Sequence, residues 1–257
     1  MVTQVIGNKM DELKELVTKL ERAYHDRLVS VILYGPAAAG GDHSASSELN
    51  VLCVVKEIGV RELSEGEPVL GWWRGHGHPA PLLLSEEEVH NSADSFPVEF
   101  RDMKDRRKVL YGVDVIADLH VDMKYYRAQV EHELRSKLFR LRQQAARILS
   151  DPAALMKLCL DSVPTFCMLA RHALIAAGVD AKTQPRAVVQ QISDTVRMDV
   201  SPFELLLDIR EDKTGKELME SQFAGDPGEL FARYLSCVRR LVEFVDGLEA
   251  GIVERSH

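Results

Sequence analysis

Two almost unbroken apolar runs, Leu28–Tyr34 and Leu49–Val55, dominate the hydrophobic pattern of the first half of the chain. Rich in Val, Ile and Leu and lacking alternation, they predict strands covered on both faces, the central strands of a sheet. Ahead of them Leu13, Leu16, Val17, Leu20 and Ala23 recur at helical spacing. This predicts an amphipathic helix over residues 8–27 with Asn8 as its N-cap. Residues 60–73 read as partly helical, interrupted by Gly66 and Pro68 and ended by the breaker cluster at 75–79. A short strand is expected over 81–84. Ser85 followed by Glu86, Glu87 and Glu88 then marks a helix start, with the hydroxyl as cap and three carboxylates facing the positive end of the dipole. Residues 96–103 alternate apolar and polar, predicting a strand that carries Glu99, and 107–111 return as a hairpin.

Beyond residue 122 the period changes to steps of three and four. Tyr126, Val130, Leu134, Leu138, Leu141, Ala145 and Ile148 predict one long helix. Asp151-Pro152 restarts a second helix that stops at Gly178, and three more follow over 185–196, 202–210 and 228–248. The expected fold class is α+β: a mixed β-sheet with flanking helices over residues 1–118, then an all-α helical bundle over 119–257. Each part is long enough to bury a core of its own.

Composition narrows the function classes. A formal net charge of −8 argues against general nucleic-acid binding, which draws its affinity from Lys and Arg. The four cysteines sit in apolar surroundings without a Cys-x-x-Cys pair, as expected for reduced core thiols of a cytoplasmic protein. No export leader is read at the start, and no run is read as long enough for a membrane span.

The chemistry-bearing stretch is the loop between the two apolar runs. Gly35, Gly40 and Gly41 permit backbone geometries closed to other residues, and Ser44, Ser46 and Ser47 offer hydroxyls. Such a loop suits phosphate. Glu48 and Asn50, two apart at the mouth of the second strand, turn to one face of the pleat. This strand, loop and strand resemble the nucleotidyltransferase superfamily of the polymerase-β type. Its small members carry Gly-Ser, a variable loop, Asp-x-Asp on the next strand and a third acid on a later one. The resemblance covers roughly the first hundred residues and rests on order and spacing. It implies Gly35, Ser46 and Ser47 as nucleotide contacts, Glu48 and Asn50 as metal ligands, and Glu99 as the base that deprotonates an acceptor hydroxyl. Three positions depart from the family pattern. Pro36 replaces the serine and has neither hydroxyl nor N–H; Glu48 replaces the first aspartate; Asn50 replaces the second and offers only a neutral carbonyl. Magnesium, which prefers carboxylates, is therefore expected to bind weakly.

Further along, Arg135, Lys137, Arg140, Arg142 and Arg147 give the long helix a basic side. The family resemblance implies triphosphate contacts there, with Arg135 and Arg142 sharing a face; the plain reading is a solvated surface. His76 and His78 have a zinc-like spacing without further ligands and read as a loop. Trp72 and Trp73 read as a core anchor and its exposed neighbour. Arg127 and His132 fit the Arg-x4–6-His pattern of HEPN ribonucleases, but five residues on a straight helix separate them by about 140°.

The function expected is that of a nucleotidyltransferase-like protein with a depleted metal site, binding a nucleotide or partner with weak or no transfer. The alternative is an active enzyme moving a nucleoside monophosphate from a nucleoside triphosphate to a hydroxyl; a HEPN-like ribonuclease ranks third. The partners this implies are an ATP-like nucleotide and a protein or a second copy of the chain, with no membrane.

Overall fold

The computed structural model describes residues 2–38, 49–123, 125–211 and 226–248. The chain divides into two compact units, Met1–Asp122 and Met123–His257.

The first unit is built on a four-stranded mixed sheet in the order β3-β2-β1-β4. β1 (Leu28–Tyr34) and β2 (Asn50–Val55) are its two central strands and pair antiparallel. β3 (Leu82–Ser85) lies parallel to β2, and β4 (Arg107–Gly112) antiparallel to β1. The unbroken apolar runs are explained by burial on both faces. Val31, Leu33, Val51, Cys53 and Val55 face α1 (Val2–Tyr24) and α2 (Val60–Gly75), packing with Leu13, Leu16, Leu20, Val69 and Trp73. Ile32, Leu52 and Val54 on the opposite pleat are fully buried as well.

Four local expectations are corrected. α1 begins at Val2, ahead of Asn8, so Asn8 is not its cap. α2 runs unbroken through Gly66 and Pro68. Gly66 is the point where α2 approaches α1: a Cβ there would lie 2.2 Å from the Tyr24 hydroxyl oxygen. The N-terminus of α2 is held by the Glu62 carboxylate, which accepts from the Gly59 N–H (3.0 Å) and from the Arg27 guanidinium. Residues 96–103 are not a strand. Pro97 opens α4 (Pro97–Asp105), and Pro97, Phe100 and Met103, three apart, are buried as one helical stripe while Phe96 stays 53% exposed. The apparent alternation was a short sample of a helical period. β4 then pairs with β1 rather than returning on a hairpin. The expected cap at Ser85 is present: its hydroxyl accepts from Glu88 N–H (3.1 Å) and its own N–H donates to the Glu88 carboxylate (2.7 Å), starting α3 (Glu86–Asn91).

The second unit is all helical: α5 (Tyr126–Ala145), α6 (Pro152–Ala176), α7 (Pro185–Val196), α8 (Ser201–Arg210) and α9 (Pro227–Gly247). Asp151 caps α6 by accepting from Ala154 N–H (3.0 Å). At its other end Gly178 takes a positive φ of 77°, and N–H groups of Gly178 and Val179 close onto Ile175 and Leu174 carbonyls. Contrary to the sequence expectation, α6 is long and apolar enough to cross a membrane. Within this unit it is the central helix, packed against α5, α7, α8 and α9. Phe166, Leu169 and Leu174 are buried along it.

Two stability predictions follow from close approaches in the sheet unit. Gly112 has φ +73°, and an added Cβ would sit 2.0 Å from the Val29 carbonyl oxygen, beside the register shift between β1 and β4. Gly112→Ala should therefore lower the stability of this unit by about 2–4 kcal/mol in denaturant unfolding. The Tyr24 hydroxyl is buried without a hydrogen-bond partner, and burial pushes its pKa up to about 12. Tyr24→Phe should raise stability by about 1 kcal/mol and should relieve much of the loss caused by Gly66→Ala, which a double-mutant cycle measures directly.

Candidate functional site

The loop-bearing end of the sheet is a row of three residues across three strands. Tyr34, the last residue of β1, lies opposite Asn50 on β2 and Arg107 on β4. Gly35 follows with a φ of +78°, a conformation glycine adopts at little cost, and turns the chain into one 3-10 turn, Pro36–Ala38. Its N–H donates to the Arg106 carbonyl (2.9 Å), and its carbonyl accepts from Ala38 N–H (3.0 Å). The turn is thus tied to the start of β4. A Cβ on Gly35 would lie 3.4 Å from the Asn50 side-chain amide, so the amide lies directly over the turn.

Glu99 sits in the first turn of α4 rather than on a strand, and its side chain is exposed. It nevertheless reaches the same end of the sheet. Burial, and after it the negative charge of Glu99, hold the Tyr34 phenol above its ordinary pKa. Gly35 and Asn50 therefore adjoin Tyr34, and Glu99 is near enough for its charge to act on the phenol. Glu48, Ser46 and Ser47 lie outside the described residues, as do Gly40, Gly41 and Ser44.

Three residues in this neighbourhood escaped the sequence reading. Tyr34 is half-buried at the end of β1, in register with Asn50. Arg106 holds Gly35 through its carbonyl and donates from its guanidinium to Asp102 (3.1 Å). Arg107 donates to both Asp114 carboxylate oxygens (2.9 and 3.0 Å), and this bonding holds the Asp114 pKa below its usual value. The Arg106-Arg107 pair at the start of a strand was the only signal, and two adjacent arginines are too common to be diagnostic.

Of the site residues expected from the sequence, the described ones that could donate to a divalent cation are one carboxylate, Glu99, and one amide, Asn50. Magnesium is bound by carboxylates together with water and substrate phosphates. These two groups do not by themselves make a magnesium site, and among the described residues no group of three His, Cys, Asp or Glu is placed to hold a metal ion.

In the helical unit the two candidate arginines differ. Arg135 is committed to its own neighbours, donating to Glu131 (2.7 Å) and pairing with Asp246 (3.3 Å). Hydrogen bonding to Glu131 raises its pKa. Arg142, in the last turn of α5, is exposed and makes no ion pair among the described residues. Arg127 donates to Glu131 (3.0 Å) on an α5 that runs without a break through His132, so the helix supplies no kink to bring the two together. His78 accepts or donates at Glu12 (2.7 Å) and stacks on buried Trp73, whose indole N–H donates to Pro79 (2.9 Å). His76 bonds the Trp72 carbonyl (2.9 Å), and Lys19 lies over the Trp72 ring. These side chains anchor the end of α2 to α1.

The sequence matches no family model and no curated protein. Among solved structures the chain is similar to spectinomycin adenyltransferase AAD(9) from Enterococcus faecialis, determined with ATP and spectinomycin. The TM-score is 0.53 at 13% identity, with 90% of this chain and 98% of that one covered. Identity this low speaks to architecture alone: the chain shares with that structure an α+β arrangement, a mixed sheet with flanking helices followed by a helical region.

Proposed function

We propose that this protein binds a nucleotide at the Gly35 end of its sheet and has weak or no nucleotidyl-transfer activity. The observation that carries the reading is the juxtaposition of Gly35 and Asn50. A glycine turn suited to phosphate is overlain by an amide where the resembled family places a carboxylate, and the acid beside it, Glu99, comes from a helix. Two-metal phosphoryl transfer concentrates positive charge against a triphosphate by means of carboxylates. Replacing one by an amide removes a full negative charge and costs several powers of ten in rate at a few kcal/mol. The structural neighbour was determined with ATP, which makes ATP the first ligand to try. In this reading Ser46 and Ser47 add hydroxyls toward phosphate, and Glu48 with Asn50 holds magnesium weakly. Residues 1–118 form the nucleotide domain and 119–257 the helical domain. The protein is cytoplasmic, with Cys53, Cys159, Cys167 and Cys237 as free buried thiols, and it engages a protein partner or a second copy of itself.

The second reading is an active transferase that moves a nucleoside monophosphate to a hydroxyl acceptor. There Glu48 and Asn50 hold one metal, and Glu99, exposed at the sheet end, takes the proton of the hydroxyl.

Titration of the purified chain with ATP, with and without magnesium, together with a pyrophosphate-release assay, separates the two. Saturable ATP binding with little dependence on magnesium and no pyrophosphate release is the expected result. Turnover that Glu48→Gln abolishes would reject it in favour of the second reading. Asn50→Asp restores the missing charge and should make ATP binding depend on magnesium, tightening it by roughly 10-fold when the ion is added. Gly35→Val forces a β-branched side chain into a positive φ beneath Asn50 and should weaken ATP binding at least ~10-fold.

A further inference from the structure

The inward face of α2 buries Glu62, Gly66, Val69 and Trp73. Its outward face carries a second stripe. Val60, Leu63, Glu67, Leu70 and Arg74 recur every three or four residues and, with Ala80, line an open groove of about 480 Å³. Val60 is 84% exposed and Leu63 52%. Exposed apolar side chains clustered in a groove mark interaction surfaces more often than scattered ones do.

The charges on this stripe add a direction. Arg27, Arg61, Glu62 and Glu65 around α2 are all engaged in ion pairs, whereas Glu67 and Arg74 make none among the described residues. They are seven residues apart, about 10.5 Å along the axis, with Leu70 and Gly71 midway between them. A Cβ at Gly71 would meet nothing within 4 Å, so the backbone there is open to a close neighbour.

Such a pattern is self-complementary. A two-fold axis passing between Leu70 and Gly71 lays a second α2 antiparallel on the first. It brings Glu67 within reach of Arg74 of the partner subunit and Arg74 within reach of the partner's Glu67, which is the reciprocity an isologous contact requires. Leu70 then fills the space above the partner's Gly71. We propose that the outward face of α2 is the interface of a homodimer, built antiparallel about that axis and closed on both sides by Glu67–Arg74 pairs. The proposal goes beyond the nucleotide reading and does not depend on it.

Sedimentation or light scattering of the full chain over roughly 1–200 µM tests it, with dimerisation expected at a Kd on the order of 10 µM. Glu67→Arg or Arg74→Glu alone places like charges opposite each other and should weaken the dimer at least ~10-fold. The double swap E67R/R74E should return it to within about 3-fold of the unmodified chain, because the pairing is then merely reversed. Leu63→Lys should give a monomer whose circular dichroism is unchanged. A chain that stays monomeric across the range overturns the proposal, including the case where Leu63→Lys lowers its melting temperature because a segment of the same chain covers the groove. A dimer indifferent to the single reversals, or one that the double swap fails to restore, overturns it too. ATP titration of the Leu63→Lys monomer tells the two proposals apart, since binding at the Gly35 end should be unaffected.

Discussion

The register between β1 and β2 is the constraint from which the candidate site follows. Both strands are buried on both faces, so a slip of one residue would move every side chain to the wrong layer: Val31, Leu33, Val51, Cys53 and Val55 face the α1 and α2 core, and Ile32, Leu52 and Val54 face away from it. With the register held by that burial, Tyr34 stands opposite Asn50 without either residue being selected for the pairing. Gly35 is then the next residue along, and its positive φ turns the chain away beneath the Asn50 amide. The placement of the polar groups is thus a by-product of apolar packing, as is usual where a rigid sheet presents a loop.

A second tie comes from the far end of the unit. The Gly35 N–H bonds the Arg106 carbonyl, and Arg106 ends the segment that carries α4, so Glu99 is brought near Tyr34 by the same connection that starts β4. An acid delivered from a helix keeps its charge at the sheet end but approaches from a different direction than one projecting from a strand. It is exposed, and it shares the neighbourhood with Arg106 and Arg107, each already bonded to a carboxylate of its own.

The two faces of α2 show how one helix serves two ends. Its inner stripe ends in Trp73, fully buried and hydrogen-bonded to Pro79, with Gly66 allowing α1 to approach at Tyr24. Its outer stripe keeps Val60 and Leu63 in solvent beside Glu67 and Arg74, which make no ion pair among the described residues. Burial of the first face makes the presentation of the second rigid, which lowers the entropy lost when anything docks there.

The central strands, the helical second half, the Ser85 cap and the helix start at Asp151-Pro152 were legible in the chain itself because each rests on local chemistry: an apolar run, a period of three and four, a hydroxyl ahead of a helix, a proline in its first turn. Residues 96–103 were not legible, since eight residues sample both periods equally well and only the burial of Phe100 and Met103 on one helical stripe decides between them. The same holds for α2, where Gly66 and Pro68 look like interruptions until the contact with Tyr24 shows one of them to be a packing requirement. That Tyr34 stands opposite Asn50, and that Glu99 comes from a helix, was decided by tertiary structure alone. Strand register and the path from α4 to β4 depend on contacts between residues far apart in sequence, and no local pattern of side chains encodes them.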